Sequence, residues 1–178
     1  MIIHLPRFTL RPPEPKDCQA LYIFKNDPDL ASLLGGFHAG YSMADLADWI
    51  EFHRKRKDEI IRVIADPESD DCIGHVGLYN IDYRVRSAEF AIMIGAANLW
   101  GKGLGRLITD FVVKWGFREL NLNRVHLSVL QTNERAIKLY RSLGFSEEGR
   151  QRDAQFKNNQ YIDVILMAIL RSECKSEE

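Results

Sequence analysis

The chain has 178 residues, 46% of them hydrophobic, 10% aromatic and 28% charged. That apolar share excludes disorder, a collagen-like repeat and a small disulfide scaffold, and this length makes one domain the default. Lys and Arg number 24 against 25 Asp and Glu, a formal net charge of -1, which argues against nucleic-acid binding by a broad basic face.

The three cysteines, Cys18, Cys72 and Cys174, form neither a CxxC nor a zinc-type spacing, so passive thiols and no metal are expected. The opening MIIHLPRFTLRPPEP meets charge and proline too early for a signal peptide. No apolar run approaches the roughly 18–20 residues that span a bilayer. A reduced cytoplasmic protein with no membrane partner follows as the expectation.

In chain order, residues 7–12 (RFTLRP) alternate like a short strand closed by Pro12 and Pro13. The spacing of Ala20, Leu21, Ile23 and Phe24 predicts a helix between Glu14 and Asn26, which Pro28 should end or break. Leu34-Gly35-Gly36 and the FHAGY after it read as a loop. Ser42 can cap a helix carrying Leu46, Trp49, Ile50 and His53. The HRKRK run at its end is either a solvated helix terminus or a contact for an acidic ligand. Ile60–Ala65 is a β-rich run and 67–71 a turn, with further strands at Cys72–Ile81 and Ala88–Ile94 around a charged turn at 83–87. Leu104, Leu107, Ile108, Phe111, Val112 and Trp115 mark one face of an amphipathic helix closed by Asn121–Asn123, and Val125–Leu130 alternates as a strand. A helix from Asn133 to Leu143 should stop at Gly144, and Gly149–Phe156 and Gln160–Leu170 read as a terminal hairpin. The pattern is one mixed α/β domain over 1–178, with 171–178 as a flexible tail.

Gly101-Lys102-Gly103-Leu104-Gly105 stands between a strand and an amphipathic helix. Glycines there let backbone N–H groups approach a ligand at a helix start, where orphan donors and the dipole favour a phosphate or diphosphate. The same residues also suit a plain tight turn. The loop is neither a Walker sequence nor the dinucleotide GxGxxG, since Ile108 stands where the third glycine would be. A second unit, Asn133, Ala136, Tyr140 and Gly144, steps by three and four along one helix face. Asn133 reads equally as an N-cap, and Tyr140 as a core residue with its hydroxyl at the rim.

Together, WGKGLG and NERAIKLYRSLGF resemble the GNAT superfamily of acyl-CoA N-acyltransferases, with its Q/R-x-x-G-x-G/A loop and N-x-x-A-x-x-x-Y-x-x-x-G-F helix. The likeness is strongest to the spermidine and polyamine enzymes and the ribosomal-protein N-terminal acetyltransferases. Trp100 departs from the Gln or Arg of the pattern, and the stretch LASLLGGFHAGYSMADLADW holds acid only at Asp45 and Asp48, where polyamine enzymes are expected to be acidic.

The resemblance implies a mixed, mostly antiparallel central sheet flanked by helices, with strands splayed at the cofactor site. It implies acetyl-CoA as cosubstrate, with Ile92, Met93 and Ile94 facing the pantetheine arm. Gly101, Lys102, Gly103, Leu104, Gly105 and Arg106 would surround the diphosphate, and Asn133, Ala136 and Tyr140 would complete the cofactor site. It makes Tyr140 the general acid for the leaving thiolate, since a phenol is a neutral O–H donor at pH 7. Glu89, at the start of the same strand, is the preferred base, or else a strand-end charge in solvent. His75 and His126 are rival bases or satisfied strand histidines. The expected activity is acetyl transfer to a primary amine by direct attack in a ternary complex. A polyamine, an amino sugar or a protein N-terminus as acceptor, and a non-catalytic acyl-CoA-binding module, are the alternatives. Family members often dimerise, so a homodimer is also in view.

Overall fold

The computed structural model describes residues 2–36 and 40–174 of the chain. The loop expected at Phe37–Ala39 and the tail beyond Cys174 lie outside the described residues. The elements are β1 (Ile3–Leu5), β2 (Phe8–Arg11), α1 (Cys18–Lys25), α2 (Pro28–Leu33), α3 (Met43–Lys55), β3 (Ile60–Ala65), β4 (Cys72–Asp82) and β5 (Ser87–Ile94). They continue with α4 (Leu104–Glu119), β6 (Arg124–Leu130), α5 (Glu134–Ser142), β7 (Ser146–Lys157) and β8 (Gln160–Leu170). The strands form one sheet of eight in the order β1-β2-β3-β4-β5-β6-β8-β7. Every neighbouring pair is antiparallel except β5 and β6.

Strand alternation sends apolar side chains to both faces, and each face has its own cover. Phe90, Leu127 and Met167 pack with Ile108 and Val112 of α4 and Ile137 and Tyr140 of α5. Val63, Ala65 and Met93, on the opposite face, pack with Leu21 of α1, Leu30 of α2 and Leu46 and Ile50 of α3. No helix among the described residues is long and apolar enough to cross a membrane.

Several expectations are corrected. α1 ends ahead of Pro28 as expected, but Pro28 also starts α2, behind an Asp27 cap whose side chain accepts from the Leu30 N–H. Proline suits that first position because its missing N–H would have no partner there. The helix expected from Glu14 is a 3-10 turn at Pro15–Asp17 followed by α1. The terminal hairpin begins earlier, at Ser146. The tail expected from residue 171 opens with a 3-10 turn, Arg171–Glu173, held by Arg171 donating to Asn121 Oδ1 at 2.8 Å. The basic end of α3 is solvated only in part: Arg54 and Lys55 pair with Glu51 in solvent, while His53 and Arg56 turn inward to Glu59.

Two long-range ties fix the cover around the site. Arg11, 4% exposed, forms paired bonds of 2.8 Å with Asp17, 2% exposed, and reaches Asp70 at 2.7 Å. It thereby pins the start of α1 to the β3–β4 turn. At the hairpin end, Lys157 Nζ donates to the carbonyls of Ala31 (2.9 Å) and Gly36 (3.1 Å), and the Gly36 N–H donates to Gln155 Oε1 (3.0 Å).

Breaking a buried pair from one side strands the other charge. Asp17→Ala is therefore expected to lower the unfolding free energy by about 3 kcal/mol in urea titrations, and the double replacement Arg11→Met with Asp17→Leu by less.

Candidate active site

The site begins where two strands part. β5 and β6 pair in parallel only at Ser87↔Arg124, Ala88↔Val125 and Glu89↔His126. Beyond that, β6 continues along β8 to Leu130↔Val164, while β5 stays with β4 to Ile94↔Gly74. From Phe90 to Ile94 the facing edge of β5 has no strand beside it among the described residues, so main-chain groups there can meet an extended ligand. A cavity of about 580 Å³ occupies the gap. Its walls include Tyr140 from the α4–α5 side of the sheet and Lys25, Tyr41 and His75 from the α1–α3 side. The divergence thus opens a slot through the sheet.

The glycine loop closes one end of the slot. Gly101 and Gly103 have φ of 80° and 79°, the left-handed region that side chains resist, and an added Cβ at either would meet open space. Gly103 is the N-cap residue of α4, so the free N–H groups of the first turn lie beside this opening. Trp100, which departs from the family pattern, has a structural task. Its indole Nε1 donates to the Ile94 carbonyl at 2.8 Å and so fixes where β5 ends and the loop starts.

The residues expected from the sequence separate as follows. Ile92–Ile94, Gly101, Gly103–Arg106, Asn133, Ala136, Tyr140 and Glu89 all line the one cavity. Leu104 does so from a buried position in the α4 core, and Arg106 bonds Ser142 of α5. Lys102 is exposed and not among the lining residues; its carbonyl accepts from Arg7 at 2.9 Å. Asn133 takes the capping role, accepting from the Ala136 N–H at 3.1 Å, and its Nδ2 donates to the Leu33 carbonyl at 3.1 Å.

Tyr140 is 9% exposed, between the rings of Phe90 and Phe145, and burial pushes its phenol up to about 12. Its hydroxyl has no hydrogen-bond partner among the described residues, so it carries its proton at neutral pH with the donor uncommitted. Glu89 stands on the other face of β5, opposite Tyr79 in register, and accepts from Asn80 Nδ2 at 3.1 Å.

Of the rival histidines, His126 pairs with Glu89 in register but does not line the cavity. His75 lines it, 8% exposed and 5.1 Å from the Trp49 ring, with Nδ1 lacking a partner among the described residues. Desolvation, with Lys25 and His53 as lesser causes, pushes its imidazole down to about 3. Burial thus favours the neutral ring at pH 7. Lys25, Tyr41 and Arg135 also line the cavity and were not singled out in the sequence. Lys25 ends α1, Tyr41 lies between α2 and α3, and Arg135 occupies an unspecified position of the α5 motif, so no common pattern joins them.

The acetyltransferase (GNAT) domain family matches residues 7–146. A spermidine N(1)-acetyltransferase of Vibrio cholerae is 32% identical over 94% of this chain and 95% of its own length. A putative ribosomal N-acetyltransferase of Bacillus subtilis is 30% identical over 96% of this chain and 94% of its own. The crystal structure of spermidine N-acetyltransferase from Vibrio cholerae in complex with CoA and spermine superposes with a TM-score of 0.84 at 32% identity, covering 95% of this chain and 98% of that one. The chain belongs to the GNAT acetyltransferase family. It is accordingly an N-acetyltransferase with acetyl-CoA as cosubstrate.

His75 also links the site to pH. Its folded pKa lies below the unfolded value, so unfolding takes up a proton as pH falls below about 6.5. The stability from its neutral burial is full above that pH and is lost toward pH 3. Urea titrations between pH 7 and 5 are expected to show a slope component approaching 1.4 kcal/mol per pH unit, about one proton, that His75→Gln removes.

Proposed function

We propose that the chain moves an acetyl group from acetyl-CoA to a primary amine, which attacks the thioester directly in a ternary complex. The observation that carries this reading is the slot itself. An unpaired strand edge, an open glycine-lined helix start and a neutral buried phenol meet at one cavity that reaches both faces of the sheet.

These residues suit a ligand with an amide-bearing arm and a diphosphate. The edge groups of Ile92–Ile94 would take the arm as an added strand. The first-turn N–H groups of α4 would take the diphosphate, with Gly101 and Gly103 keeping side chains out of the way and Arg106 and Arg135 adding cations. When bound, the cosubstrate supplies an activated acyl carbon and a thiolate leaving group. Tyr140 would hand a proton to that sulfur and regain one, directly or through water, from the nitrogen as it becomes an amide. Glu89 receives the proton of the incoming ammonium, directly or through water; for an amine of pKa about 10 that removal costs roughly 4 kcal/mol at pH 7. Asn133 serves by fixing the start of α5, and hence the position of Tyr140, with its own side chain already engaged. The free thiols of Cys18, Cys72 and Cys174 suit a reducing cytoplasm and take no part.

Two variants test the assignment. Tyr140→Phe is expected to lower kcat by about a hundredfold or more while leaving acetyl-CoA affinity within a few fold; equal turnover would remove Tyr140 from the mechanism. Gly103→Val, forced into a left-handed backbone, is expected to cost about 1–2 kcal/mol of stability and to abolish most of the thermal stabilisation by acetyl-CoA. Absence of any such stabilisation of the unmodified protein at sub-millimolar acetyl-CoA overturns the reading.

A further inference from the structure

Lys25 is the last residue of α1, and its side chain lines the α1–α3 side of the cavity, across the sheet from Tyr140 and α4. Its Nζ lies 4.9 Å from the centroid of the Trp49 ring and 5.3 Å from that of Tyr41. Two ring faces attract the charge, yet they leave the three N–H donors of an ammonium without oxygen acceptors. No carboxylate among the described residues forms an ion pair with it. The neighbouring His75 is neutral, and Glu89 is the one carboxylate among the described residues lining the cavity. Desolvation lowers the Lys25 pKa from its ordinary value, so a negative partner in the cavity would stabilise the ammonium.

A polycation brought into this half of the cavity meets a fixed positive charge in a poorly solvated place, where repulsion is weakly screened. An acceptor with an amine at one end and an oxyanion at the other meets complementary charge at both ends, Glu89 and Lys25. Resting on the acetyltransferase reading above, we infer that the acceptor amine carries an oxyanion, a carboxylate or a phosphate, and that Lys25 receives it. The spermidine enzymes among the relatives then mark a shared reaction and a different acceptor charge.

The test is titration calorimetry on the full chain saturated with CoA, using matched ligands: 4-aminobutyrate against 1,4-diaminobutane, and O-phosphoethanolamine against ethanolamine. The anionic member of at least one pair is expected to bind about tenfold tighter or more, and the pair that shows the preference separates carboxylate from phosphate. Lys25→Met is expected to erase the preference and Lys25→Arg to retain it, both with unchanged acetyl-CoA affinity. Tighter binding of the diamine, no binding of either anionic ligand, or a preference that survives Lys25→Met overturns the inference. Weaker acetyl-CoA binding in Lys25→Met, with acceptor preference unmoved, overturns it too, by placing the charge on the cosubstrate. Failure of the unmodified protein to bind acetyl-CoA is a separate result that removes the acetyltransferase reading itself.

Discussion

A strand has two edges, and β6 cannot follow two neighbours that point in different directions. Its whole length, Arg124 to Leu130, is hydrogen-bonded to β8, and only its first three residues stay beside β5. The sheet therefore opens at a fixed place. Main-chain groups that a closed sheet would satisfy internally are left for something else to satisfy, and an unmet amide in a half-buried cleft is costly enough to make a matching ligand welcome.

The opening also puts two chemically different compartments in contact. On one face Tyr140 is enclosed by aromatic rings that favour its uncharged form. On the other, Glu89 sits at the strand edge where the sheet begins to part, and Lys25 and His75 lie further along the gap. The phenol and the carboxylate proposed as proton donor and proton acceptor thus lie on opposite faces of the sheet, and both line the gap between them.

Much of this was legible in the sequence because it rests on local rules. The α4 and α5 helices announced themselves by apolar spacing, and Gly101, Gly103 and Gly144 by backbone angles that other residues avoid. Misreadings arose where one residue has two uses. Pro28 can follow one helix and start another, and the second use depended on Asp27 capping the next turn. Asn133 carries the cap that its position in the sequence offered, and it lines the cavity as well. Trp100 looked like a lost polar contact and proved to be a brace on Ile94. Lys25 could not have been found by pattern, because the rings that bracket it lie 16 and 24 residues away (41 − 25 and 49 − 25) and meet it only through tertiary packing.

The tie between the terminal hairpin and α2 bears on how the molecule is made. Ala31, Leu33, Leu34 and Gly35 wall the cavity, and the segment that carries them is clasped at Ala31 and Gly36 by Gln155 and Lys157, 119 to 126 positions later. The last two strands thus do two jobs at once: β8 holds β6 away from β5 to open the slot, and the β7–β8 end clasps its far wall.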